Sequence, residues 1–366
     1  MIESTAAVLT APGVALEIVT VQVTPPRAGE VLVELAASGL CHTDSTTFDG
    51  SNPSCVYPAI LGHEGAGTVV ETGAGVTTLK PGDDVIPLYG PQCGRCAMCL
   101  SGRTNLCWTI KETRDRGVMP DGTTRFSVDG QPVHHFMGTS TFSRYTVVPE
   151  IALAKIEGQP PLDVICLLGC GVTTGVGAAL NDVREGDAVV VFGLGGIGAS
   201  VVQGARIAGA SRVIGVDPVP AKAALATKFG MTDFLDARTP DVLEKVMDLT
   251  GGGVDIAFEC TGILHVMRQA LDVCHVGWGT CVLLGVEPAG AEMSFPPIFA
   301  RYGRTIKGSY FGGVKGRTGL GQYVDMYLEG TLDIESLITH RLPLDRINEG
   351  FAMMADGTSG RTVVEF

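Results

Sequence analysis

The stretch Ala188-Val189-Val190-Val191-Phe192-Gly193-Leu194-Gly195-Gly196-Ile197-Gly198 reads as three things in succession. Five apolar residues make a buried parallel strand, G-x-G-x-x-G makes a tight loop, and the small residues from about Gly198 to Ala208 make a helix. A second apolar strand, Arg212-Val213-Ile214-Gly215-Val216, ends at Asp217, which lies 19 residues beyond Gly198. This context is what a dinucleotide needs: a sharp turn, room for backbone to approach a pyrophosphate, and a carboxylate for the ribose 2′-hydroxyl. A carboxylate repels a 2′-phosphate, so NAD is expected over NADP. The alternative is a structural turn in an α/β sheet.

Outward from this loop the alternation continues. Strands are expected at Val254–Phe258 and Thr280–Leu284, with helical stretches around Lys222–Phe229 and Val266–Val273. Alternating strands and helices predict βαβ units and a parallel sheet. Residues Ala6 to about Val148 behave differently, with short alternating runs such as Val31–Leu35, Gly67–Glu71 and Asp84–Leu88 between Gly and Pro turns, the pattern of a β-barrel or sandwich. The tail predicts helices at Gly321–Leu328 and Leu344–Met354 and a last strand at Arg361–Phe366 that returns to the first domain.

The 366 residues carry a net charge of −13, are 45% hydrophobic and include 50 glycines and eleven cysteines. Two globular domains fit that length. An acidic chain with no basic run makes a poor nucleic-acid partner. The longest apolar run, Ala188–Val202, is interrupted by glycines and falls short of a bilayer span. The start Met1-Ile2-Glu3-Ser4-Thr5 lacks a basic signal-peptide region, so the expected compartment is the cytoplasm, where eleven cysteines are poor disulfide material.

Their spacing is more informative. Cys93, Cys96, Cys99 and Cys107 form C-x2-C-x2-C-x7-C. Four thiolates so close can enclose a zinc ion with no open position, as a structural site does; disulfides or an iron–sulfur cluster are the alternatives. Cys41, His63 and Cys170 form a second candidate set, which leaves zinc's fourth position open for catalysis if the three converge. Spacing does not establish that convergence, and each is otherwise a buried core residue. Cys55, Cys166, Cys260, Cys274 and Cys281 lack ligand-like spacing and are expected in packing, while His134, His135 and His340 are expected to be structural.

Gly62-His63-Glu64-x2-Gly67-x5-Gly73-x2-Val76, the four-cysteine lobe, Leu168-Gly169-Cys170-Gly171 and the glycine loop together resemble the zinc-dependent medium-chain alcohol dehydrogenases, from about Ala7 to Phe366. Met119–Phe126, Met137–Ser143 and Phe311–Lys315 resemble the glutathione-dependent formaldehyde dehydrogenase branch. The resemblance implies an α/β plus β-barrel fold. A GroES-like catalytic domain would span residues 1–171 and 311–366 and a Rossmann domain 172–310, in a homodimer or homotetramer. It implies NAD and two zinc ions per chain, the catalytic one on Cys41, His63 and Cys170 and the structural one on Cys93, Cys96, Cys99 and Cys107. Asp44 would orient the ligand histidine, Glu64 would stand behind the metal, and Thr43 would take the alcohol proton. His42 and Arg361 would lie near the pyrophosphate, Asp217 and Lys222 at the adenosine ribose, and Thr174 near the nicotinamide. Thr43, Tyr89 and Phe142 would line the substrate pocket, with Met119 nearby.

The reaction so implied is reversible oxidation of a primary alcohol, apolar or aryl, with hydride passing to the nicotinamide. S-hydroxymethylglutathione is the alternative substrate, and a non-catalytic dinucleotide-binding protein the alternative class. The branch's two glutathione-binding acids fall at Asn52 and Ser54, and its arginine at Lys111. Losing the acids removes partners for an ammonium or amide group, whereas lysine still suits a carboxylate. Thr46 stands where relatives carry an aromatic or a relay histidine.

Overall fold

The fold comes from a computed structural model describing residues 1–52, 55–357 and 359–366. The chain forms two compact units, Met1–Cys170 with Val314–Phe366, and Gly171–Gly313. The larger unit begins with β1 (Ile2–Leu9), β2 (Glu17–Val23), β3 (Glu30–Gly39), β4 (Ala59–Ile60), β5 (Glu64–Thr72), β6 (Asp84–Pro87), β7 (Phe126–Val128), β8 (Gln131–His135), β9 (Tyr145–Pro149) and β10 (Leu153–Ile156). The smaller adds β11 (Ala188–Phe192), β12 (Arg212–Asp217), β13 (Asp233–Asp236), β14 (Ile256–Glu259), β15 (Thr280–Leu283) and β16 (Thr305–Gly308). The chain then returns to the larger unit through β17 (Ile338–Pro343) and β18 (Arg361–Glu365). Three helices position site residues: α1 (His42–Phe48), α2 (Gly171–Asp182) and α3 (Gly196–Ile207).

In the larger unit β1, β2, β7, β8 and β4 close into a barrel around Val21, Ile60, Phe126, Val133 and Phe142. A second sheet runs β10-β6-β5-β3-β18-β17, with β9 also on β3. Although their sequences alternate, β3, β9 and β18 are buried along most of their length. Arg125 is fully buried beside the barrel, with Nε donating to Glu30 Oε2 at 2.8 Å and Nη2 to Asp121 Oδ2 at 2.8 Å. The ring nitrogen Nε2 of buried His135 accepts the Arg125 backbone N–H at 3.1 Å, a structural task of the kind expected of it.

The smaller unit is one parallel sheet in the order β13-β12-β11-β14-β15-β16, the doubly wound pattern whose chain direction switches beside β11. Val190, Phe192, Ile214, Ala257, Cys274 and Cys281 fill its core. The two edge strands are not evident from sequence. Asp233-Phe234-Leu235-Asp236 is half-buried and flanked by acids, and β16 is mostly exposed, so neither shows a buried apolar run. The boundaries also differ from expectation, falling after Cys170 and Gly313 instead of after residues 171 and 310. Gly171 opens α2, and Asn181 Nδ2 on that helix donates to Gly312 O at 2.7 Å, so the turn Tyr310–Gly313 stays with the helix it packs against. No single helix among the described residues is long and apolar enough to cross a membrane.

Candidate active site and metal centres

Strand register assembles the first site. Gly39 at the end of β3 pairs with Glu64 at the start of β5 and with Val363 on β18. Cys41, His63, Glu64 and Arg361 therefore arrive together at one end of the sheet. A side chain at Gly39 would strike Leu167 Cδ2 at 2.5 Å and Glu64 Oε2 at 2.6 Å, so glycine here leaves room for the side chains packed behind the cluster. Cys170 follows the short helical turn Cys166–Gly169, which packs on β5. Ligand atoms of Cys41, His63, Glu64 and Cys170 all lie within 4.8 Å of one another. The convergence that spacing left open is thus present.

Asp44 organises this cluster. Cys41 caps α1 in an extended conformation and its N–H donates to Asp44 Oδ2 at 3.1 Å. The other carboxylate oxygen accepts Gly62 N at 3.0 Å and faces His63 Nδ1 at 3.1 Å. Three donors around one buried carboxylate fix the imidazole with Nδ1–H towards Asp44 and leave Nε2 as the free lone pair. That Nε2 is buried and has no hydrogen-bond partner among the described residues. A buried acceptor in such isolation, aimed where two sulfurs converge, is what a zinc ligand looks like without its metal partner counted, and the donor set fits zinc.

Charge in the cluster is shared unevenly. A hydrogen bond with Cys170 holds the Cys41 thiol well below its ordinary value, against burial, and His63 adds to the effect. Cys170 is pushed up as the other half of that pair. Burial would lower His63, but the Asp44 and Cys41 charges raise it well above its usual range. Burial would likewise lower Arg361; the Glu64 carboxylate, which its Nη2 contacts, raises it instead. The same nitrogen donates to Leu40 O at 2.9 Å, so one edge of the Arg361 guanidinium is anchored behind the cluster.

The four-cysteine lobe is a second centre. Cys93 Sγ and Cys99 Sγ are 3.9 Å apart, and Cys96 Sγ and Cys107 Sγ are 3.7 Å apart. Sulfurs about 2.3 Å from a central zinc form a tetrahedron with edges of about 3.8 Å, so these spacings fit the ion without rearrangement. Burial would raise the Cys93 thiol, but the Thr109 hydroxyl at 2.9 Å and the N–H groups of Arg95 and Cys96 bring it down to about 6. Burial and its neighbours' sulfurs push Cys99 up to about 12. All eleven cysteines are unpaired, which removes the disulfide alternative.

In the smaller unit the glycine loop leaves β11 and enters α3, as its sequence predicts. A Cβ at Gly198 would lie 1.8 Å from Gly193 O, so this glycine is required by the chain itself. At Gly195 the backbone is ordinary, with φ −74°, and a Cβ would meet nothing within 4 Å. The space over Gly195 is an open cradle at a helix N-terminus, which suits a pyrophosphate. Gly196 and Ile197 open the helix. Asp217, buried at the end of β12, accepts Leu194 N at 2.8 Å and Val219 N at 2.9 Å, while Lys222 Nζ lies 3.0 Å from its carboxylate. Thr174 is buried in α2.

The remaining expected residues divide. Thr43 Oγ1 lies 3.9 Å from Cys41 Sγ, and His42 is exposed beside it on α1. Thr46 Oγ1 donates to Thr43 O at 3.1 Å. Tyr89 touches the cluster, with its ring edge-on to His63 at 5.7 Å and its hydroxyl 3.7 Å from Cys170 Sγ. Phe142 and Met119 correct the pocket expectation: both are buried in the barrel core, where Phe142 stands edge-on to Phe351 at 6.1 Å. Phe142 pairs through its backbone with Leu61, and this places its ring inside the barrel. Phe136, not singled out from sequence, is the second ring facing His63, at 6.2 Å. Asn52 Nδ2 donates to Thr47 Oγ1 at 3.3 Å. Lys111 is an exposed residue paired with Asp115, and Ser54 lies outside the described residues.

Comparison with known proteins agrees with this geometry. Residues 27–158 match the alcohol dehydrogenase GroES-like domain, and residues 196–327 match the zinc-binding dehydrogenase domain. An S-(hydroxymethyl)glutathione dehydrogenase of Photobacterium damsela subsp. piscicida is 52% identical over 368 residues, covering 100% of both chains. Among solved structures, an alcohol dehydrogenase zinc-binding domain protein of Burkholderia ambifaria superposes with TM-score 0.94 at 36% identity, over 100% of this chain and 99% of that one. Benzyl alcohol dehydrogenase of Acinetobacter calcoaceticus gives TM-score 0.94 at 29% identity over 100% of both. Likeness of that extent, in sequence and in backbone alike, means that the chain belongs to the zinc-binding alcohol dehydrogenase family, in the branch of the S-(hydroxymethyl)glutathione dehydrogenases.

Proposed function

We propose that the protein oxidises S-(hydroxymethyl)glutathione with NAD, Cys41, His63 and Cys170 holding the catalytic zinc and Cys93, Cys96, Cys99 and Cys107 the structural one. The observation that carries the substrate is the full-length 52% identity to a dehydrogenase named for it. It outweighs the apolar or aryl alcohol expected first, which also loses Phe142 and Met119 as pocket walls. When bound, zinc supplies a Lewis acid at the substrate oxygen and the nicotinamide accepts hydride. Thr43 takes the hydroxyl proton at its Oγ1. Asp44 keeps the His63 lone pair on Nε2, and Glu64 with Arg361 supplies a charge-balanced wall behind the ligands. Gly195 admits the pyrophosphate, and Asp217 selects NAD by its charge. His42, Arg361, Lys222 and Thr174 are assigned to the coenzyme by the family resemblance. Eleven unpaired cysteines support a cytoplasmic setting, and the exposed edge strand β16 supports a homo-oligomer, dimer or tetramer.

A second reading, an aryl alcohol, is favoured by the pairing of Lys111 with Asp115 and by Asn52 in place of an acid, and the benzyl alcohol dehydrogenase shares the fold. NADH formation from formaldehyde, with and without glutathione, decides between them. Turnover that rises steeply with glutathione is expected; turnover of benzyl alcohol with indifference to glutathione refutes the assignment.

A further inference from the structure

We infer that Tyr89 is a positioning residue for the catalytic metal, bracing Cys170 through its hydroxyl and His63 through its ring. The inference rests on the zinc reading of the Cys41, His63 and Cys170 set and goes beyond it. Tyr89 lies two residues beyond the end of β6 and is buried. Its hydroxyl stands 3.7 Å from Cys170 Sγ, and its ring meets the His63 imidazole edge-on at 5.7 Å and 82°. One side chain therefore touches two ligands that are 107 residues apart in sequence.

Its backbone is also held. Arg114 Nη1 donates to Tyr89 O at 2.7 Å, and the Arg114 guanidinium is itself gripped by Asp115 Oδ1 at 3.1 and 3.2 Å. The short helix Lys111–Asp115 thus anchors the tyrosine from the surface side. Cys170 needs such a brace. It sits in a turn with φ −151° and ψ −83°, outside strand or helix, whereas His63 is already fixed by Asp44. With the sulfur as the thiolate that zinc requires, the hydroxyl donates to it. An O–H···S contact withdraws charge from the sulfur and restricts its position; groups around metal ligands commonly change metal affinity by 10- to 100-fold.

The test uses full-length protein in which cobalt(II) replaces zinc, comparing wild type with Tyr89→Phe. The variant keeps the ring and loses only the hydroxyl. Without the hydrogen bond the sulfur lone pair rises in energy, so the sulfur-to-cobalt charge-transfer band is expected at longer wavelength. Chelator-driven zinc loss from this site is expected about tenfold faster, with the four-cysteine zinc retained. Should Tyr89→Phe fold poorly, Arg114→Gln, which frees the tyrosine backbone, is expected to shift the band in the same direction by less. An unmoved band with unchanged zinc release in the variants overturns the inference alone. A wild-type protein that takes up metal only at the four-cysteine lobe overturns the catalytic zinc reading and this inference with it.

Discussion

Substituting alanine at Gly195 and at Gly198 separates a glycine that serves a ligand from one that serves the chain. At Gly195 the backbone lies at φ −74° and a new methyl meets nothing within 4 Å, so Gly195→Ala folds. Removing glycine freedom from the unfolded chain stabilises by about 0.4–1 kcal/mol, and a poorer N-cap for α3 offsets a similar amount, leaving stability within about 1 kcal/mol of wild type. That methyl nevertheless occupies the space through which a pyrophosphate approaches the helix. We expect NAD to bind at least tenfold more weakly, about 1.4 kcal/mol. Thermal unfolding with and without NAD reads both quantities. At NAD 100 times the wild-type Kd, the wild type gains about 2.7 kcal/mol and the variant about 1.4 kcal/mol or less. Gly198→Ala instead places Cβ 1.8 Å from Gly193 O, and is expected to unfold earlier with or without NAD. Equal NAD stabilisation of Gly195→Ala and wild type would refute the assignment of this loop as a phosphate cradle.

Asp44→Asn removes the charge that fixes His63 and is expected to weaken the buried zinc site 10- to 100-fold; metal analysis after chelation should then count one zinc per chain where the wild type keeps two. Arg125→Leu leaves Glu30 buried without its cation, a loss of about 3–5 kcal/mol by denaturant midpoint, and adding Glu30→Leu should recover most of it. Burial and the Arg125 charge depress buried His135 to about 3, below its unfolded value. Its contribution is therefore whole above about pH 6.5 and falls as pH drops towards 3, by at most about 4–5 kcal/mol, a slope that His135→Gln should flatten.

What the sequence revealed depended on how far apart the cooperating residues lie. The loop from Gly193 to Gly198 and the four-cysteine lobe each complete their chemistry within a few residues, so glycine positions and thiol spacing are enough to read them. Cys41, His63 and Cys170 are separated by 22 and 107 residues, and what joins them is the pairing of Gly39 with Glu64 and the packing of the turn Cys166–Gly169 on β5. No local pattern encodes that register, so ligand chemistry could nominate the three but not bring them together. Side-chain direction was equally hidden. Phe142 and Met119 sit within motifs shared with the formaldehyde dehydrogenases, yet both point into the barrel, while Phe136 turns towards His63. Motif membership locates backbone; burial on one face or the other depends on strand pairing.

Charge explains why the two metal centres occupy such different surroundings. Four thiolates around a divalent zinc leave a net charge of −2, which is costly to remove from water. Accordingly Cys93, Cys96 and Cys99 remain partly exposed, and N–H and O–H donors from Arg95, Cys96 and Thr109 surround Cys93. Two thiolates and a neutral imidazole cancel the same ion, so that centre can be buried: His63 is fully enclosed, and the Arg361 cation is matched by Glu64. Only Asp44 adds a negative charge, and three N–H groups disperse it. With the ion's charge balanced by its own ligands the centre tolerates a dry setting, where water screens little of what the metal exerts on an incoming oxygen. Replacing His63 with cysteine would keep three ligands while adding one buried negative charge. Even with zinc retained, it should lower activity further than any loss of zinc affinity accounts for.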